Sequence, residues 1–253
     1  MKQMKRRIFM GAMCEQTVYC VPDGTRKVAE YDPEKSRKER FENEEAYKKF
    51  KVEISRRNHI RMFHANFSPT SIYGTLTFDD EYEVHTFKEA KYIARKFIRV
   101  LKYAFPEAVI FLYMGRGKGT QRIHFHTVTE GIPVEFISQK WKYGTVKRFE
   151  NLREHCRYEG VDHGPDYTKL ANYLFGHWTE EVGGHRWIMT KNAKKPEREE
   201  PTEVQIRGGY SEKRPPIAPK GYTLVETKAT LYGCYRFIFM AIPKKKPGRP
   251  KKE

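Results

Sequence analysis

Two histidines separated by one bulky apolar residue sit inside the run Arg122-Ile123-His124-Phe125-His126-Thr127-Val128. In an extended strand successive side chains alternate faces, so His124 and His126 point one way while Ile123, Phe125 and Val128 are expected to face mostly the other. Neutral imidazole is a common ligand for divalent ions, and a pair of them leaves coordination positions open for a substrate phosphate. The same pattern also describes two histidines sharing the wet face of an amphipathic strand. The pair alone leaves both readings open.

A second set lies downstream, in Asp166-Tyr167-Thr168-Lys169-Leu170-Ala171-Asn172-Tyr173-Leu174-Phe175-Gly176-His177-Trp178. As a helix starting near Asp166, this segment puts Lys169, Tyr173 and His177 on one stripe, with Leu170 and Leu174 beside it to dock on a sheet. A tyrosine with a cation one turn before it and an imidazole one turn after it is placed for chemistry on a phosphate. Its phenol titrates near pH ~10, so attack needs a cation or metal that favours phenolate, or a base that takes the proton. Tyr167 falls on a different face. The ordinary role of a helix tyrosine is packing by its ring with the hydroxyl in water.

Elements able to position these groups are legible around them. Ser71 to Phe78 alternates β-formers and ends at Asp79-Asp80, which predicts a strand. Thr86 is an N-cap candidate for a helix through Phe87, Ala90, Ile93, Ala94, Phe97, Leu101 and Phe105, stopped by Pro106. Val109 to Met114 is a fully apolar strand that turns through Gly115-Arg116-Gly117-Lys118-Gly119 into the histidine strand. That turn is not a phosphate-binding P-loop, because Gly119 stands where Ser or Thr is required and a strand follows instead of a helix. It reads as a hairpin carrying two cations. Val134 to Trp141 reads as a short helix, Gly144 to Phe149 as a strand and 160–166 as a loop. The order implies an α+β fold: a central antiparallel sheet with helices on one face and the histidines on a central strand.

With 49 Lys and Arg against 32 Asp and Glu, a formal charge of +17 and 14% aromatics, the chain suits a surface that neutralises phosphates and stacks on unpaired bases. No apolar run approaches the roughly 20 residues that span a bilayer, and the basic start is followed by too short an apolar segment for a secretory signal. A cytoplasmic protein without a membrane partner is expected. Cys14, Cys20, Cys156 and Cys234 form no close pair, which suggests a reduced set, and His155-Cys156 with His163 match no standard zinc spacing.

His124-Phe125-His126 followed by a helical tyrosine resembles the HUH endonucleases, specifically the rolling-circle replication initiators of plasmids, phages and integrated elements. The likeness extends to Asn66-Phe67 ahead of Gly74-Thr75-Leu76-Thr77-Phe78, to Trp141 and Gly144, to Asn192-Ala193-Lys194-Lys195-Pro196 and to Pro219-Lys220-Gly221-Tyr222. It spans about residues 55–240, with histidines before tyrosine, as in initiators. The resemblance implies a ferredoxin- or RRM-like sheet in which His124 and His126 hold Mg²⁺ or Mn²⁺. It implies that Tyr173 attacks single-stranded DNA at a replication origin, stays joined to the 5′ phosphate and leaves a 3′ hydroxyl that primes synthesis, with a host helicase and polymerase as partners. A single-strand transposase of the same superfamily, or a non-catalytic DNA-binding descendant, would share these motifs.

This chain departs from the family pattern at two places. Gly176 stands where the family commonly has a lysine, so Lys169 or His177 is the candidate cation. Met114, Gly115 and Arg116 occupy the region where an acidic third ligand is expected, leaving Asp79, Asp80 and Glu130 as substitutes. Arg116, Lys118 and Arg122 in the hairpin are candidate DNA contacts. So is Arg249, in a Lys- and Pro-rich tail that resembles an AT-hook. The expected organisation is 1–65 as N-terminal strands and a charged helix, 66–180 as the nuclease core, 181–243 as its extension and 244–253 as a disordered basic tail.

Overall fold

The computed structural model describes residues 2–21, 44–117, 119–156, 164–176, 187–229 and 234–243. They divide into two units, one from Val28–Arg157 and Tyr167–Pro196, the other from Met1–Lys27, Tyr158–Asp166 and Glu197–Glu253.

The first unit is built on a five-stranded antiparallel sheet of β3 (Ile72–Thr77), β4 (Val109–Arg116), β5 (Ile123–Glu130), β6 (Val146–Asn151) and β7 (Ile188–Met189). The spatial order is β6, β3, β5, β4, β7, so the histidine strand β5 is central. Four helices among the described residues accompany it: α1 (Glu44–Asn66), α2 (Phe87–Ala104), α3 (Val134–Lys140) and α4 (Thr168–Gly176). Thr86 caps α2 as its sequence predicts, its hydroxyl accepting from Glu89 N at 3.3 Å while its own N–H donates to the Glu89 carboxylate at 3.4 Å.

The α+β architecture and central antiparallel sheet are as expected, but the helices lie on both faces and not on one. Ala90, Ala94, Phe97 and Leu101 of α2, with Ile137 of α3, bury against Leu76, Ile110, Leu112, Met114, Ile123 and Phe125. On the opposite face, Phe63 of α1 and Leu170, Ala171 and Leu174 of α4 pack with Tyr73, Phe111, Tyr113 and Val128. The reason lies in β4. Its residues from Ile110 to Met114 are all fully buried, and an unbroken apolar run needs cover on both sides. The charged helix α1 buries only His59, Phe63 and His64, and its wet face carries the ion pairs Lys49–Glu45 and Arg56–Glu53.

The second unit is another antiparallel sheet, of β1 (Lys2–Met10), β2 (Met13–Val21), β8 (Glu197–Arg198), β9 (Thr202–Glu203), β10 (Tyr222–Ala229) and β11 (Tyr235–Ala241). Its order is β10, β11, β2, β1, β8, with β9 also pairing β1. Cys14, Val18, Phe237 and Phe239 form its buried cluster, and burial pushes the Cys14 thiol up to about 12. The organisation therefore differs from the expected segments. β8, β9 and β11 do not extend the histidine unit but pair with the β1–β2 hairpin, β10 pairs with β11, and α1 belongs to the histidine unit. Backbone hydrogen bonds decide this, and Tyr235 to Met240 find their partners on β2. No described helix is long and apolar enough to cross a membrane.

Candidate active site

Alternation along β5 sends Ile123 and Phe125 into the α2 side of the sheet and His124 and His126 to the α1–α4 side. Val128 corrects the sequence reading: it shares the parity of the histidines and packs on their face, with Phe63 and Leu174.

His126 is nearly buried. Its Nδ1 lies 2.9 Å from the Tyr73 hydroxyl and 3.1 Å from Thr75 Oγ1, both on neighbouring β3. Those contacts hold the ring so that Nε2 points at His124, whose own Nε2 is 3.2 Å away. Burial pushes the His124 imidazole below its ordinary value, while a hydrogen bond with the Arg122 main chain pulls the other way. Burial also raises the Tyr73 hydroxyl. The Thr75 hydrogen bond opposes that shift, Tyr173 adds to it, Arg148 opposes it and Glu150 adds to it.

Tyr173 completes the group. It projects from α4 with its side 51% exposed, and its ring meets the His126 ring edge-on at 5.8 Å between centroids. Leu170, Ala171, Leu174 and Phe175 bury the rest of that helix, which fixes Tyr173 over the histidine strand. Tyr167 is buried in the cluster below, so the two tyrosines are separated, as their spacing predicts. Lys169 is exposed one turn before Tyr173, and the described helix ends at Gly176. His177, Lys118 and Arg249 lie outside the described residues, as does His163.

A divalent ion can be tested against this donor set. Two Nε2 atoms 3.2 Å apart match neighbouring vertices of an octahedral ion, about 3 Å apart for bonds of about 2.1 Å. The Tyr73 and Thr75 oxygens at Nδ1 give His126 the orienting partner that ligating histidines use. The pair fits as two ligands. No group of three His, Cys, Asp or Glu that could hold a metal gathers among the described residues. Opposite the histidines stand Tyr113 and Gly115 on β4, and Thr75 and Thr77 on β3. The suggested substitutes are engaged elsewhere: Ser68 and Ser71 donate to Glu130, Arg122 pairs with Asp80 at 2.7 Å, and Thr145 donates to Asp79 at 3.2 Å.

The two hairpin arginines are also spoken for. Arg122 pairs with Asp80 and Glu83 and donates to Phe78 O. Arg116 donates to Gln121 O and His85 O and lies over the Phe87 ring. Both lock the β4–β5 hairpin to the segment after β3. Beside them opens a groove of about 470 Å³, lined by residues including Thr77, Asp79, Arg122, His124, Thr145 and Lys147.

Sequence reasoning missed Tyr73, Thr75, Lys147 and Arg148. The period-two parity of β3 could have flagged the first two, since Tyr73 and Thr75 fall on one face of a strand already assigned. On the same side of the sheet, His59 of α1 bonds the Tyr113 hydroxyl at 2.7 Å and packs on Trp187 at 4.5 Å between ring centroids. His155 packs on Tyr73 and lies 2.9 Å from Glu150. Comparison with protein-family models, with curated proteins and with solved structures finds no match.

Proposed function

We propose that the histidine unit nicks and rejoins single-stranded DNA in the manner of a rolling-circle replication initiator, through a covalent bond to Tyr173. The observation that carries this reading is the seat of Tyr173 against His126, on the central strand of the sheet and at the solvent boundary. A nucleophile must be reachable by a polymer, and a ligand pair must be held still. A half-exposed phenol above a nearly buried imidazole meets both demands.

His124 and His126 would hold a divalent ion through their Nε2 atoms, and that ion would supply Lewis acidity at the scissile phosphate. The Tyr173 oxygen forms a bond to phosphorus, its proton passing to solvent or a neighbouring base. The bond from phosphorus to the 3′ oxygen breaks, and that oxygen takes a proton to become the free 3′ hydroxyl. Tyr73 and Thr75 keep the His126 ring in register throughout. Because the tyrosyl ester conserves the phosphodiester bond, attack by a 3′ hydroxyl reverses the step and rejoins the strand. An origin in single-stranded form is the substrate, with a host helicase and polymerase acting downstream.

Intact-protein mass spectrometry after incubation with random single-stranded oligonucleotides and Mn²⁺ tests this directly. An adduct of nucleotide mass that disappears in Tyr173→Phe is expected. Adduct formation that survives Tyr173→Phe refutes the nucleophile.

A second reading, a DNA-binding descendant without nicking activity, is favoured by the absence of a third acidic ligand among the described residues and by Gly176. It predicts salt-sensitive DNA binding with no divalent binding by calorimetry.

A further inference from the structure

Edge strand β6 pairs irregularly with β3. Thr75 lies opposite Lys147 and Tyr73 opposite Glu150, so Gly74 alone faces two residues, Arg148 and Phe149. That is a β-bulge. Phe149 folds onto Gly74, where a Cβ would stand 2.4 Å from its ring, and packs against the core on the α2 side. Arg148 takes φ +54°, in the left-handed region. Bulge positions of this kind normally carry glycine, because a Cβ is disfavoured there. The backbone gives no reason for a side chain at Arg148, still less a charged one.

The bulge does have a consequence for charge placement. In a regular strand, Lys147 and Arg148 would point to opposite faces. Here both are exposed. Lys147 shares the face of its partner Thr75, whose hydroxyl contacts His126, and it lines the groove beside His124. Arg148 follows Lys147 in the bulge opposite Gly74, beside Tyr73, whose hydroxyl contacts the same imidazole. Neither cation forms an ion pair with a described residue, whereas Arg122 is held by Asp80 and Glu83 and Arg116 by two carbonyls.

We propose that Lys147 and Arg148 form a phosphate clamp at the edge of the sheet, seating the backbone of the bound strand beside the phosphate that Tyr173 attacks. The guanidinium offers a planar fork to phosphate oxygens and the ammonium a mobile point charge, and together they match consecutive phosphodiesters. The clamp rests on the single-stranded-DNA reading above. It supplies the substrate contacts that the hairpin arginines, tied into the fold, do not.

The test measures fluorescence-anisotropy affinity for a labelled oligothymidylate across a salt series, using the full chain. Arg148→Gly is expected to fold with an unchanged or higher thermal midpoint, since glycine suits the bulge, and to bind the oligonucleotide more weakly. Lys147→Ala with Arg148→Gly is expected to lose affinity on the order of tenfold at 0.1 M salt. Its salt slope should fall by roughly 1.4, from two phosphate contacts at about 0.7 each on single strands. Arg95→Ala with Arg99→Ala removes the same charge from the exposed side of α2, across the sheet, and is expected to change neither. Wild-type affinity and slope in the double variant overturn the clamp. Equal losses in the α2 control overturn it too, because bulk charge would then suffice. Adduct mass at Tyr173, read on the same samples, separates the two proposals. If wild type forms no adduct while the affinity pattern holds, nicking fails and the clamp stands. An adduct formed equally by wild type and double variant at subsaturating DNA removes the clamp and leaves nicking.

Discussion

Replacing His59 by glutamine isolates one buried proton-binding site. His59 is fully buried among Phe63, Phe175 and Trp187, and its Nε2 bonds a Tyr113 hydroxyl that is itself buried and pushed well above the ordinary phenol range. Among the described residues no carboxylate pairs with it, and burial lowers the imidazole from 6.5 to about 3. The unfolded chain therefore takes up this proton near pH 6.5 and the folded chain only near pH 3. Between those values the unfolded state holds more protons, so stability falls as pH falls, by about 1.4 kcal/mol per unit. Wild type should lose about 2 kcal/mol between pH 7 and pH 5 through this group alone, and about 5 kcal/mol in total once the folded form titrates. Glutamine can keep a hydrogen bond to Tyr113 and cannot titrate. Urea unfolding followed by tryptophan fluorescence at several pH values, with Trp187 packed on the ring, reads the difference between wild type and His59→Gln. Groups common to both proteins cancel. Parallel profiles from pH 7 to pH 5 would refute the reasoning, because they would mean that the folded protein accepts the proton at no cost.

Three further outcomes are expected. Gly74→Ala places a methyl against the Phe149 ring and should cost roughly 1–3 kcal/mol in urea unfolding; an unchanged midpoint would deny that the ring is confined there. Tyr73→Phe removes one of two oxygens at His126 Nδ1 and should weaken Mn²⁺ binding about tenfold by titration calorimetry, with Thr75 retaining the other contact. Thr86→Ala should lower stability by about 1 kcal/mol through loss of the α2 cap, and Thr86→Ser should restore it.

The groups that local sequence periodicity governs were legible. Strand alternation put His124 and His126 on one face, and helical spacing put Tyr173 apart from Tyr167. The N-cap at Thr86 was legible from its residue type ahead of an apolar helical pattern, whereas the reciprocal contact of Glu89 came from the structure. What escaped depends on pairing between segments far apart. Val128 was misplaced by departing from strict alternation, and helices on both faces follow from the depth at which β4 is buried. Arg116 and Arg122 read as free cations because sequence reports a charge and not its partner. Lys147 and Arg148 were passed over because a bulge is a mismatch between two strands, and β6 alone does not contain it. The partnership of the N-terminal hairpin with residues beyond 197 has no local signature at all.

That partnership sets an order of events during synthesis. β2 is complete by Val21, but the strand that hydrogen-bonds its outer edge, β11, begins at Tyr235. A ribosome making a nascent chain at about 5–20 residues per second leaves that edge open for roughly ten seconds or more, while the segments of the histidine unit emerge and can fold in the interval. Unpaired edges recruit other strands, and Lys2, Lys5, Arg6 and Arg7 on the adjoining β1 supply charge that opposes such association. Part of the basic character of this chain thus guards its own assembly.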